Sequence, residues 1–219
     1  MDKACVEPLP MSALGARTGF STRLFMTGLI LASGSAIRRQ MLEDAGVEFE
    51  VVRPDVDEDA VKADKTEPDK IAAELARVKA LAISALRPGE WVIGSDSVVA
   101  AGVRLFNKPA NREEAAEHLR FFSGKTMELT SGVALARGGH VDWSDVAVAE
   151  LTVRQLSDEF IESYLEAEWP EVGYTVGVFR MEARGVQLFE TIAGDHFTIL
   201  GMPLIPLLNA LRQRGILQS

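Results

Sequence analysis

Two apolar runs constrain this chain more than any other feature. LILA, residues 29–32, and WVIGSDSVVA, from Trp91, are dense in branched and small apolar residues. Strands of that kind are covered on both faces and belong to the middle of a sheet packed by helices. LILA passes at once through Ser33, Gly34 and Ser35 into a helical pattern. There Ile37, Met41, Leu42 and Ala45 share one face, and Gly46 ends the helix. Arg38 and Arg39 fall in its first turns, although cations are better placed at a helix C-terminus. Something negative is expected to sit there.

The rest of the chain alternates strand and helix signals. FEVVRP, from Phe49, reads as a strand, and DVDEDAVKAD as a polar, acidic connection. Thr66, with Asp69 three residues on, reads as the N-cap of a helix with a buried stripe of Ile71, Leu75, Val78 and Ala82. Pro88-Gly89 stops it. The run from Trp91 reads as a central strand interrupted by Gly-Ser-Asp-Ser. Asn111 with Glu114 caps the next helix, which reaches Ser123-Gly124. MELTSGVALA and VAVAELTV read as long antiparallel strands joined through Arg137-Gly138-Gly139. Ser157 opens a helix that ends near Glu168, and ARGVQLFETIAG reads as a further strand. Pro203 suits a first helical turn, ahead of a stripe of Leu204, Leu207, Leu208 and Leu211.

The expected fold is α/β: a mixed, twisted central sheet flanked by helices, with two lobes around a cleft. No glycine- or serine-rich linker divides it, so residues 28–219 form one domain. The first 28 residues contain MSALGARTGFSTRLFMTG, rich in Ser and Arg and poor in acids. LFMTGLILASGSA could pass for a short signal-peptide core, but it is too short to span a membrane. LILA leads straight into a helix, so cleavage there would remove part of the fold. Residues 1–27 are therefore expected to be a disordered extension, or an over-long start with Met26 near the true one.

Charge and cysteine content exclude several classes. The net charge of -9 argues against a nucleic-acid or anionic-membrane binder, which needs a broad basic surface. An anionic small substrate is compatible with it if the cations are focused in one cleft. Cys5 is the single cysteine, so neither an internal disulfide nor a cysteine zinc site can form, in keeping with a reducing cytoplasm. His118, His140 and His196 lack metal-ligand spacing.

Two stretches carry candidate chemistry. At the strand-to-helix junction, free helix N–H groups bind anions, the hydroxyls of Ser33 and Ser35 add donors, and Gly34 lets the backbone come close. Arg38 or Arg39 would add a bidentate phosphate clamp. The plainer alternative is a serine N-cap with two solvated arginines. Asp96, in VIGSDSVV, is costly inside an apolar strand unless it is hydrogen-bonded or binds metal. At a strand end it would face a cleft; the alternative is a turn-forming aspartate beside Gly94. Glu58 in PDVDEDA, Lys79 beside the helical stripe and Lys108 in LFNKP each read alone as solvated charges. They gain interest only as a set.

That set, in the order LASGSAIR, PDVDED, VKA, GSDSVV, NKP, FSGKTMELTSGVAL and LGMPL, resembles the Maf family of nucleoside triphosphate pyrophosphatases. The resemblance covers about residues 29–217 and implies a Maf/ITPase-like fold. It implies hydrolysis of a nucleoside triphosphate between the α- and β-phosphates, with magnesium or manganese. It also implies roles. Ser33, Ser35 and Arg38 would grip phosphates, and Lys79 and Lys108 would offset the triphosphate charge. Glu58 and Asp96 would hold the metal, and Asp96 would orient or deprotonate the attacking water. VGVFRME places Glu182 where the dTTP/UTP branch carries glutamine, so the chain looks closer to the 7-methyl-GTP branch. A carboxylate suits the donor edge of guanine, and Trp169 and Phe179 are candidates for an aromatic face. Ala36, Ile37 and Ser97 depart from that branch's pattern. The rival readings are a dTTP/UTP-preferring enzyme and a non-enzymatic, nucleotide-binding regulator of septum formation. The family also implies a homodimer, and the acidic net charge leaves no nucleic-acid or membrane partner expected.

Overall fold

The computed structural model describes residues 28–63 and 66–218, and the expectations for residues 1–27 lie outside them. Seven strands form one mixed sheet. They are β1 (Leu29–Ala32), β2 (Glu50–Val51), β3 (Trp91–Ala101), β4 (Arg104–Phe106), β5 (Thr126–Arg137), β6 (His140–Val153) and β7 (Phe189–Ala193). Helices are α1 (Ala36–Asp44), α2 (Glu58–Ala63), α3 (Pro68–Ser84), α4 (Arg112–Phe122), α5 (Asp158–Glu168), α6 (His196–Leu200) and α7 (Leu204–Gln213). The strand order is β2-β1-β3-β5-β6-β7, with β4 added on β3. β1 runs parallel to β2 and β3, and the remaining pairs are antiparallel.

Alternation along the central strands assigns the helices to faces. Leu29, Leu31, Ile93, Val133 and Leu135 share a core with Met41 and Leu42 of α1 and Leu204, Leu207 and Leu211 of α7. Ile30, Ala32, Val92, Ala134 and Ala136 point the other way, against Ala76, Ala80 and Ile83 of α3. A second core joins the far ends of β3, β5 and β6 to α4 and α5, through residues such as Val99, Leu119, Met127 and Tyr164.

Helix α3 lies unusually close to the sheet. A Cβ at Gly94 would fall 2.1 Å from the Ala76 carbonyl oxygen, and one at Gly132 would fall 2.4 Å from that of Ala72. Only glycine permits this approach. Gly94 is therefore a packing residue inside a strand. It does not form a turn with Asp96. β3 is not interrupted at Gly-Ser-Asp-Ser either, because pairing with β5 is continuous from Trp91 to Ala100.

Several other expectations need correction. FEVVRP contributes only Glu50 and Val51, because β2 is a sheet edge with β1 as its one neighbour. The acidic connection contains α2, whose first turn is closed by the Asp57 carboxylate accepting the Ala60 N–H at 3.0 Å. Glu67 occupies the cap position of α3 in place of Thr66, and Pro68, needing no N–H partner, begins the helix. The first half of ARGVQLFETIAG is a 3-10 turn, Arg184–Leu188, and only Phe189–Ala193 is strand. Pro203 stands at the N-cap of α7. The caps at Asn111 and Ser157 form as expected, each accepting a backbone N–H three residues on.

Candidate active site

The site grows from a gap in the sheet. β1 stops at Ala32, opposite Gly94, and β4 does not join β3 until Val99. Between them, Ser95 to Val98 have β5 on one side and, among the described residues, no strand on the other. The chain leaves β1 toward β2, while β3 lies on the other side of β1, so a crevice opens beyond the carboxyl end of β1. Open α/β sheets bind ligands at such switch points.

Asp96 projects into this gap on the α3 face. Lys79 Nζ lies 2.9 Å from Asp96 Oδ1 and 2.7 Å from Glu58 Oε1. Lys79 is only 7% exposed. It belongs to the buried stripe itself, which runs through Ala72, Leu75, Ala76, Lys79, Ala80 and Ile83, with Val78 and Ala82 only half-buried. The missed signal was alanine at positions 72, 76 and 80, one per turn, marking the face that meets the glycines.

Arg38 enters from the opposite face and is also buried. Its Nε donates to the Gly201 carbonyl at 2.9 Å and its Nη2 to Ser97 Oγ at 2.9 Å. Its Nη1 lies 3.8 Å from Asp96 Oδ1. Burial pulls the guanidinium pKa down, and Asp96 and Glu58 oppose that shift. Arg39 is exposed and pairs with Glu43 at 3.5 Å, so the solvated alternative describes Arg39 and not Arg38. Two buried cations thus face two acids, and the four charges cancel.

The loop between β1 and α1 is organised from within. Ser33 is buried, and its Oγ accepts the Ser35 N–H at 3.2 Å. Ser35 is half-buried at the α1 cap position but makes no side-chain cap bond. A Cβ on Gly34 would approach Arg53 Nε to 3.1 Å, so a third cation lies over the loop. Behind Arg38, a seam of hydroxyls ties the sheet to the turn after α6. Ser95 Oγ donates to the Gly132 carbonyl at 2.8 Å, and Ser131 Oγ to that of Thr198 at 2.9 Å. Ser97 Oγ lies 2.8 Å from Ser131 Oγ and 3.1 Å from the Gly201 carbonyl oxygen. Of these, sequence reading singled out only Ser97. The serines of GSDSVV and TSGVAL become one network only when their strands pair.

The remaining residues stand apart. Lys108 is exposed and makes no ion pair among the described residues. Next to it, Asn107 Oδ1 accepts from Lys62 Nζ at 3.0 Å, closing α2 onto the turn after β4. Beneath that bridge, Ser97, Val98, Phe106 and Val176 line a cavity of about 20 Å³, room for about one water. Glu182 lies on an exposed turn of the second lobe, paired with Arg180 at 3.3 Å. Phe179 is 6% exposed and packs edge-on against Phe189, so it belongs to the core and offers no free aromatic face. Trp169 is half-buried over Gly173. A larger groove, about 1020 Å³, lies at the opposite end of β1 and β3, beside Gly28, Trp91 and Arg214. None of the residues singled out for chemistry lines it.

The donor set fits a hard divalent cation. Glu58 and Asp96 already converge on one positive centre, Lys79 Nζ, and magnesium and manganese take a few carboxylate oxygens together with substrate phosphates. Among the described residues, no group of three or more His, Cys, Asp or Glu side chains is placed to hold a metal, so a resident all-protein cage does not form. No helix among them is long and apolar enough to cross a membrane.

Buried cations facing carboxylates at a switch point define an α/β protein built to handle a phosphorylated ligand. The chain belongs to the Maf-like protein family, whose model matches residues 28–214. It is 46% identical to a nucleoside triphosphate pyrophosphatase of Rhodopseudomonas palustris over 191 residues, 86% of this chain and 95% of that one. A nucleoside triphosphate pyrophosphatase of Bradyrhizobium diazoefficiens matches to the same extent. A 7-methyl-GTP pyrophosphatase of Rhizobium etli is 45% identical over 195 residues, 87% of this chain and 98% of its own.

Proposed function

We propose that this chain hydrolyses a nucleoside triphosphate to the monophosphate and pyrophosphate. Water oxygen attacks the α-phosphorus, the bond from that phosphorus to the α,β-bridging oxygen breaks, and pyrophosphate leaves. The observation that carries the reading is the convergence of Asp96, Glu58 and Lys79 within 3 Å contacts beside the Ser33–Ser35 loop. Phosphoryl-type transfer depends on positioning and charge neutralisation more than on covalent chemistry, and this cluster supplies both.

The residues divide the work by position. Asp96 orients the water and accepts its proton, a contribution of roughly 10²–10⁴-fold for a general base. Ser33 shapes the loop, leaving Ser35 and the free N–H groups of α1 for phosphate oxygens. Lys79 and Lys108 offset the triphosphate charge, with Arg38 anchored behind them. Because the four charges of Arg38, Lys79, Glu58 and Asp96 cancel, a tri- or tetra-anionic substrate needs further positive charge. Glu58 and Asp96 would hold magnesium or manganese, which would supply that charge by neutralising phosphate oxygens. Glu182 favours a 7-methylguanine base, through the donor edge of guanine and its added positive charge. Cytoplasmic location and a homodimer belong to the same proposal.

The test is pyrophosphate release from 7-methyl-GTP, GTP, dTTP, UTP and CTP with magnesium or manganese. Selective release from 7-methyl-GTP is expected, with Asp96→Asn lowering kcat by about 10²-fold or more. Release mainly from dTTP or UTP would keep the reaction and overturn the role given to Glu182. Silence across the panel from folded protein would leave the nucleotide-binding regulator in its place.

A further inference from the structure

We infer that Lys79 is a place-holder for the divalent cation, so that metal and nucleotide enter this site together. The inference rests on the proposed function for the identity of the ligands. Its structural basis is independent of base or reaction. Lys79 Nζ bridges Glu58 Oε1 and Asp96 Oδ1 at 2.7 and 2.9 Å, between the two carboxylates that fit a hard cation. The same two acids cannot serve a buried ammonium and a metal equally well, because each cation at that position repels the other.

The ammonium is also well placed to leave. Its stem is fixed in the α3 stripe, but the head group reaches Glu58, whose side chain is 43% exposed against 9% for that of Lys79. An anionic phosphate arriving over the Ser33–Ser35 loop offers Lys79 new acceptors. As the head group turns toward them, Glu58 and Asp96 are released to a metal that the same phosphates also bind. Arg38 takes no part in the exchange, since Gly201 and Ser97 hold two of its donors. The free protein therefore binds metal weakly and is protected from two uncompensated carboxylates. Occupation by metal and by nucleotide becomes mutually reinforcing, as linkage requires.

The experiment is manganese titration of the nucleotide-free protein, read from the electron paramagnetic resonance of the free ion. Wild type, Lys79→Met, Lys79→Gln and Lys79→Arg are compared, each with its fold checked by circular dichroism. The neutral variants are expected to bind manganese roughly tenfold more tightly than wild type, within the usual range of site-to-site coupling. Lys79→Arg, which keeps the charge, is expected to bind as weakly as wild type. Adding Asp96→Asn to a neutral variant is expected to abolish the gain. No gain in a folded neutral variant, or a gain that survives Asp96→Asn, overturns the inference. Neither result touches pyrophosphate release by wild type, so failure here and failure of the proposed reaction are read separately.

Discussion

Asp96 and His118 are both polar groups in apolar surroundings, and the structure treats them in opposite ways. Asp96 keeps its charge company, with Lys79 hydrogen-bonded to it and Arg38 near. His118 is buried on α4, edge-on to the Phe106 ring at 5.1 Å, with Nδ1 lacking a hydrogen-bond partner among the described residues. Burial pushes its pKa below the 6.5 of an exposed imidazole. Glu114, 3.7 Å away, and Glu117 oppose that shift, while Arg104 reinforces it. A depressed pKa means that the unfolded chain takes up a proton the folded protein refuses. Stability that is full above pH 6.5 is therefore lost as the pH falls below it. Urea midpoints measured from pH 7.5 to 5 should fall for wild type, and fall less for His118→Leu. Equal slopes would show that another group governs the acid limb. Both residues were visible in sequence, but their neighbours were not. Whether a polar side chain is paired or orphaned depends on the facing element.

At the scale of elements, the decisive contact is α3 against β3 and β5. Its alanines and the glycines opposite carry no chemistry, yet their close approach sets Lys79 beside Asp96. Gly94→Ala places a methyl 2.1 Å from the Ala76 carbonyl and 2.6 Å from the Ala80 N–H nitrogen. Backbone atoms cannot rotate away, so α3 must lift. We expect a loss of about 3 kcal/mol, the upper end for overpacking, in urea denaturation, with the proposed activity lost as well. A loss under ~1 kcal/mol would mean that the helix shifts freely. Helices with polar caps and strong amphipathic stripes, α4 and α5, were legible in the sequence because their signals are local. The length of β2 and half of the α3 face were not: Ile71 and Leu75 are buried as read, but Val78 and Ala82 are only half-buried. A strand's length depends on its neighbour's reach, and a stripe of small residues scores poorly as a hydrophobic face although it packs most tightly.

At the scale of the whole molecule, the two larger cores, one under α1 and α7 and one under α4 and α5, share the central strands. β3 carries Ile93 into one core and Val99 into the other, and β5 does the same with Val133 and Met127. Strands that cross both cores couple them, so urea should unfold the molecule in one transition. Trp91 and Trp143 border the first core and Trp169 the second. Their fluorescence, followed in variants that keep either Trp169 or the other pair, should give coincident midpoints with far-UV circular dichroism. Separate midpoints would mean that the lobes unfold independently.

The sequence alone determined the α/β class, most of the long helices and strands, and the short stretches from which the site is built. Those follow from periodicity, capping and apolar runs, which act over a few residues. It also carried the family resemblance, because that lies in ordered motifs. Only the tertiary structure decided which charges meet. It paired Lys79 with Glu58 and Asp96, and it anchored Arg38 while leaving Arg39 to solvent. It left Lys108 and Glu182 outside that cluster. The physical reason is range: a hydrogen bond or ion pair needs its partners within about 4 Å, and residues such as Arg38 and Gly201, 163 positions apart, reach that distance only when sheet and helices pack.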